Sequence, residues 1–139
     1  MRHCGASIIF FNNDRQILLV LRDDIPSIPY PGLWDLPGGH IEANESAEEC
    51  IVREMLEEIE INVTGCELFQ VYEFSDRTES VFLKKAEFDI ENVVLHEGQM
   101  LRWFSEHEAA QVELAYGFDQ VLRDYFECIR GKEKMPSRA

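Results

Sequence analysis

Hydrophobic positions along this chain follow two rhythms. Residues 6–11 and 17–21 are short, nearly continuous apolar runs joined by Asn12-Asn13-Asp14, which predicts a β-hairpin. Residues 67–74, 81–88 and 101–104 predict three further strands, with Ser75-Asp76-Arg77-Thr78 as the turn between the first two. Between the hairpin and these strands the period lengthens: Ile51, Val52, Met55, Leu56 and Ile59 fill one arc of a helix. Ser46 with Glu49 predicts its start, because hydroxyl and carboxylate can each satisfy a free amide of the first turn. The same pair recurs as Ser105 and Glu108 ahead of a short helix, and Phe118, Val121, Leu122, Tyr125 and Phe126 mark a C-terminal amphipathic helix. Pro26, Pro29 and Pro31 make residues 22–33 a stiff, non-helical loop able to wall a pocket.

Strands and helices intermingle without a repeat, a low-complexity tract or a linker. One α/β domain over residues 1–130 is therefore expected, followed by a frayed tail over residues 131–139.

The helix after Ser46 carries more than a core face. Glu54, Glu57 and Glu58 occupy i, i+3 and i+4, so three carboxylates share one side of it. They fall in its second half, where acid opposes the macrodipole at about 0.3–1 kcal/mol per exposed charge. Such a face is either simply solvated or held opposite a cation. Pro37-Gly38-Gly39 just ahead of the helix favours the second reading, since the glycines let backbone approach closely.

Gly39, Glu45 and the run Arg53-Glu54-Met55-Leu56-Glu57-Glu58-Ile59 resemble, in identity and spacing, the signature box of Nudix hydrolases. Trp34-Asp35-Leu36-Pro37-Gly38-Gly39-His40-Ile41-Glu42 resembles the usual approach to that box. One specified position departs: Glu60 stands where the box has the glycine that ends the helix. This puts the helix exit in question and leaves the carboxylates in place.

The resemblance implies a Nudix fold, a mixed β-sheet sandwiched between α-helices. It also implies attack of water at phosphorus in a nucleoside diphosphate linked to another group, with Mg²⁺ as cofactor and Mn²⁺ able to substitute. On this match Glu54, Glu57 and Glu58 bind metal, the Gly38 carbonyl adds a ligand, and Arg53 orients a carboxylate, its plainer role being an i,i+4 pair with Glu57. Glu45 supports the loop or a water. His96-Glu97-Gly98-Gln99 resembles the MutT-type segment that brings one more glutamate, so Glu97 is a further ligand or the general base, a role for which Glu54 also qualifies. Arg22, Trp34, Tyr116, Phe118 and Asp119 are the substrate-binding candidates; Asp119 can equally cap its helix, and Trp34 can equally be core.

Composition narrows the substrate. A net charge of −14 argues against nucleic acid as partner, since polyanion surfaces need clustered Lys and Arg. No apolar run reaches the roughly 18 residues of a membrane span, and no signal-peptide pattern opens the chain, so a cytoplasmic protein without membrane contact is expected. Cys4, Cys50, Cys66 and Cys128 are scattered, which suits reduced thiols rather than a zinc or redox motif. The family resemblance adds two clues. ADP-ribose-directed members often carry a proline beyond the box, whereas this chain has none between Pro37 and Pro136. GDP-mannose mannosyl hydrolases usually have an altered acidic box, whereas Glu57 and Glu58 are both present here. The leading expectation is a MutT-like nucleoside triphosphate pyrophosphohydrolase, releasing a monophosphate and pyrophosphate. Hydrolysis of ADP-ribose or another nucleotide sugar, or a non-catalytic nucleotide sensor, are the alternatives, and the family resemblance also allows a homodimer.

Overall fold

In a computed structural model, which describes residues 3–134, the strands form one mixed sheet with helices on both faces. Strand β1 (His3–Phe11) lies at its centre, parallel to β6 (Arg77–Lys85) from His3↔Arg77 to Phe11↔Lys85. On its other side β1 changes partner. Its first half pairs antiparallel with β4 (Gly38–His40), and its end pairs with β2 (Ile17–Leu21) at Phe11↔Ile17, as the hairpin pattern predicts. β2 also pairs antiparallel with β3 (Trp34–Asp35) and β7 (Met100–Phe104), and β5 (Glu67–Glu73) flanks β6.

Period-2 alternation sends neighbouring side chains of β1 and β2 to opposite faces. Ile9, Ile17 and Leu19 pack under α3 (Phe118–Lys134) with Phe118, Val121, Leu122, Tyr125 and Phe126. Ala6, Ile8, Phe10 and Leu18 pack under α1 (Ala47–Ile59) with Cys50, Ile51, Met55 and Ile59. Each large side chain so buried contributes roughly 1.5–3 kcal/mol, so the two clusters hold helix, sheet and helix together.

Both capping boxes form: Ser46 accepts from the Glu49 amide, and Ser105 accepts from the Glu108 amide at the start of the short α2 (Glu106–Ala109). Helix α1 ends at Ile59, and Glu60 itself takes the left-handed conformation of the missing glycine (φ 59°, ψ 33°). The exit is therefore conserved in shape at a strain of about 1–2 kcal/mol for a residue with a β-carbon. Helix α3 runs on through Lys134, past the point where the tail is expected to begin; residues 135–139 of that tail lie outside the described residues.

Two expectations need correction, and two short strands lie beyond what the pattern predicts. The polar segment read as a turn over residues 75–78 is partly strand: β6 begins at Arg77 and ends at Lys85, because parallel pairing with β1 reaches back over Arg77, Thr78 and Glu79. The two short strands β3 and β4 flank Leu36-Pro37 and carry too few residues to show a period. Leu56 is 48% exposed rather than buried. At about 100° per residue it lies some 140° from Ile51 around the helix, off the core face.

Candidate active site

The same helical geometry ranks the three carboxylates of α1. Measured from Ile51, Glu58 lies about 20° to one side, Glu54 about 60° and Glu57 about 120°. Glu58 is accordingly half-buried and lines a cleft of about 470 Å³ together with Glu54, whereas Glu57 is 59% exposed and stands outside its lining. Glu97 joins Glu54 and Glu58 in that lining. Burial, a hydrogen bond shared with Glu54 and the negative charge of Glu97 hold the Glu58 carboxyl far above the usual carboxylate range.

The cleft opens where β1 changes partner from β4 to β2. Ala6↔Gly39 pairing brings the β4 backbone beneath α1. A β-carbon on Gly39 would overlap the Glu54 carboxylate, and one on Gly38 would overlap the Ala6 carbonyl, so these glycines let strand and acidic face meet. Gly38 and Gly39 both line the cleft.

Arg53 ties this wall together. Its Nε and Nη2 donate to the two oxygens of Glu45 at 2.7 and 3.0 Å, its Nη1 to Glu54 at 2.9 Å and to Glu57 at 3.3 Å, and its Nη2 also to the His40 carbonyl at 3.2 Å. The i,i+4 contact with Glu57 is thus one of several. The guanidinium, helped by the Glu42 amide, pushes Glu45 down to about 2, and the carboxylates in turn raise Arg53 further. Such a fork fixes the orientation of two carboxylates at once. Buried Cys50 sits beneath, its thiol pushed up to about 12 by burial and so kept protonated.

The far end of the cleft is aromatic and polar. Arg22 donates to Asp35 at 2.8 Å and to the Pro29 carbonyl at 2.9 Å, and lies 5.3 Å from the ring centre of Tyr116. Tyr116 and Phe118 line this end, and Asp23, Ile28 and Pro29 bring the proline-rich loop in as a wall. Two other candidates stand elsewhere. Trp34 packs edge-on against Phe104 at 4.8 Å, and Asp119 is exposed and pairs with Arg123 at 3.1 Å; neither lines the cleft.

Four buried polar residues of the lining escaped the sequence pattern. Glu79 receives a short hydrogen bond from Ser7 and another from Arg77 Nε at 2.8 Å, while Arg77 Nη2 donates to the Tyr116 carbonyl at 2.7 Å. Arg77 also stacks on Phe74, 4.4 Å from its ring centre. Asp35 is 7% exposed, and its Oδ1 has no hydrogen-bond partner. Burial, only partly offset by Arg22, pushes Asp35 up to about 6. The alternation of Arg77 and Glu79 into Val81 was the available signal for this end, hidden by the polarity that reads as a turn.

Oxygen donors on Glu54, Glu58 and Glu97, beside the Gly38 backbone, are the hard ligands a Mg²⁺ or Mn²⁺ ion takes. Among the described residues, no three acidic, histidine or cysteine side chains are already closed around one metal-sized point. Burial among neighbouring carboxylates favours the neutral form of Glu58, and a divalent cation is the charge that would relieve that crowding.

A mixed sheet between helices, split over an acidic cleft, defines the class of domain. The NUDIX domain family model matches residues 1–125, and the chain belongs to the Nudix family. It is 35% identical to the CTP pyrophosphohydrolase of Escherichia coli (strain K12) over 127 residues, covering 90% of each chain. It is 48% identical to the putative 8-oxo-dGTP diphosphatase of Bacillus subtilis (strain 168) over 69 residues, which are 50% of this chain and 42% of that one. With the 8-oxo-dGTP diphosphatase of Proteus vulgaris the match likewise covers 50% of the relative, so the chain spans half or less of these two relatives. A solved MutT structure, from work on Aliivibrio salmonicida and Vibrio cholerae, shares the fold with a TM-score of 0.74 at 31% identity, covering 89% of this chain and 96% of that one. Among the described residues no helix is long and apolar enough to cross a membrane.

Proposed function

We propose that this protein is a Mg²⁺-dependent Nudix hydrolase of the MutT type, which cleaves a nucleoside triphosphate to a monophosphate and pyrophosphate. One observation carries the reading: a single cleft joins a wall of carboxylates to an end built from aromatic rings and buried polar groups. Phosphates belong at the first end and a nucleobase at the second. The relatives named for CTP and for 8-oxo-dGTP support a triphosphate over other nucleotides.

Glu54, Glu58 and Glu97, with the Gly38 carbonyl, would hold the metal from within the cleft, and Glu57, which stands outside the lining on the same helix, would have to turn in to join them. A bound divalent cation supplies neutralisation of the phosphoryl oxygens and water acidified towards hydroxide. The chain's own residues do the positioning. Arg53 keeps Glu54 aimed into the cleft while its fork on Glu45 holds the preceding loop. Glu97 and Glu54 face the same space from different elements, and either can accept the proton of the attacking water. At the other end Tyr116, backed by the buried Phe118, offers a base its stacking surface, and Arg22 lies beside that ring.

The test is turnover of canonical and oxidised nucleoside triphosphates, ADP-ribose, dinucleoside polyphosphates and nucleotide sugars, with and without Mg²⁺. Pyrophosphate release from a triphosphate, abolished by chelation, is the expected result. Metal-dependent turnover of ADP-ribose alone replaces the substrate, and no turnover of any compound, unchanged by Glu57→Gln, leaves a nucleotide sensor.

A further inference from the structure

Glu60 is the position at which this chain leaves the family pattern, and the structure gives its side chain something a glycine lacks. Glu60 Oε2 lies 2.6 Å from His96 Nε2, across to the loop that precedes β7. A carboxylate can only accept, so the ring N–H donates. The backbone N–H of His96 donates to the Glu58 carbonyl at 2.8 Å. The loop is anchored at its other end as well: the Gln99 amide donates to the Leu21 carbonyl at 2.7 Å, and its side chain donates to the Arg22 carbonyl at 2.7 Å. Gly98 (φ 92°) lies close against Val20 and Leu21, which leaves that end no slack. Glu97 sits between the two anchors and faces Glu54 and Glu58 in the cleft.

We propose that Glu60 is a positioning residue that acts through His96 to hold Glu97 against the acidic face of α1. Both partners are half exposed, at 56% and 51%, so the pair adds little to overall stability. Its effect is local, restricting a short loop whose one cleft-facing carboxylate must meet a face on another element. The left-handed backbone at Glu60 makes the idea separable from a structural role. A glycine fits that conformation better, so Glu60→Gly relaxes the backbone while cutting the tether.

The role rests on the reading of Glu97 as a metal or water-handling group, and the test keeps the two apart. Three experiments are run on the whole chain: Mn²⁺ affinity without substrate, amide hydrogen exchange over residues 96–99, and steady-state kinetics giving kcat and KM on the best triphosphate. Glu60→Gly and His96→Ala are expected to weaken Mn²⁺ binding several-fold, speed exchange in the loop and lower kcat by about tenfold, as loss of a supporting contact does at metal sites. KM should stay within about twofold, and Glu60→Gly should melt no lower than the native protein. Glu60→Gln, which keeps an acceptor for His96, should restore most of each value, and the double variant should be no worse than either single one. Native Mn²⁺ affinity, exchange and kcat in Glu60→Gly, beside an impaired Glu97→Gln, overturn the tether and leave Glu97 its role. Native values in Glu97→Gln itself overturn both.

Discussion

Asp35 in the cleft and Glu45 in the loop before α1 have carboxyls shifted in opposite directions, and stability should record both. Asp35 is pushed up to about 6 from an ordinary 3.8 by burial, so in the folded state it holds its proton where the unfolded chain has lost it. Its contribution is full below pH 3.8 and is lost as pH rises through 6. Asp35→Asn removes that loss. Denaturant midpoints should therefore shift in favour of the variant between pH 4 and pH 7, by about 2–3 kcal/mol relative to the native protein. Parallel pH profiles would rule out the buried, proton-holding Asp35. Glu45 runs the other way: the Arg53 fork holds it at about 2, so its contribution is present above 4.5 and disappears as pH falls towards 2. Native protein and Glu45→Gln should differ at pH 7 and converge in acid, which acid titration followed by circular dichroism reads directly. Arg53, Glu54, Glu58 and Glu45 were legible as residues because the box spacing names them. Asp35 was quoted in the approach to the box without a role, and Arg77 and Glu79 were missed, because their importance comes from burial that a polar turn pattern does not reveal.

At the scale of the element, α1 serves two masters. One arc, Ile51, Met55 and Ile59, locks it to the sheet, and the next arc presents Glu58 and Glu54 to the cleft. Because both arcs belong to one rigid body, the helix start matters to the site. Ser46→Ala removes the side-chain half of the capping box and is expected to destabilise the protein by about 1 kcal/mol, within 0.5–2, in urea unfolding. Metal-dependent turnover at 25 °C should change little, since the acidic face lies beyond the first turn; a large loss would mean that the first turn itself reaches the site. The start of α1, both capping boxes and the central hairpin were readable from period and cap chemistry, whereas the end of α3 was not. Nor were β3 and β4, since strands of two and three residues have no period. They exist through tertiary pairing, β4 with β1 and β3 with β2.

For the whole molecule, the excess of acid has a consequence. With Glu54, Glu58 and Glu97 crowded into one cleft and a net charge of −14, a divalent cation should bind the folded state better than the unfolded one. Mg²⁺ at ten times its Kd is expected to stabilise by about 1.4 kcal/mol. Thermal melts should show this in excess of sodium chloride at matched ionic strength, and chelation should reverse it. The excess should vanish in a Glu54→Gln, Glu58→Gln double variant; if it persists there, the cation acts on the general surface charge. Sequence alone determined the α/β class, the acidic helix and its caps, which follow from local period and spacing, while the resemblance of its box to a known signature implied the family and the mixed sheet. Tertiary structure decided which carboxylates face the cleft, that Trp34 and Asp119 stand away from it, and that Asp35, Arg77, Glu79 and Ser7 build its inner end. It also decided that Glu60, the one break in the box, keeps the glycine's conformation and reaches His96. These are matters of burial and long-range pairing, which depend on the strand crossing that brings residues 7, 35, 79 and 97 around one space.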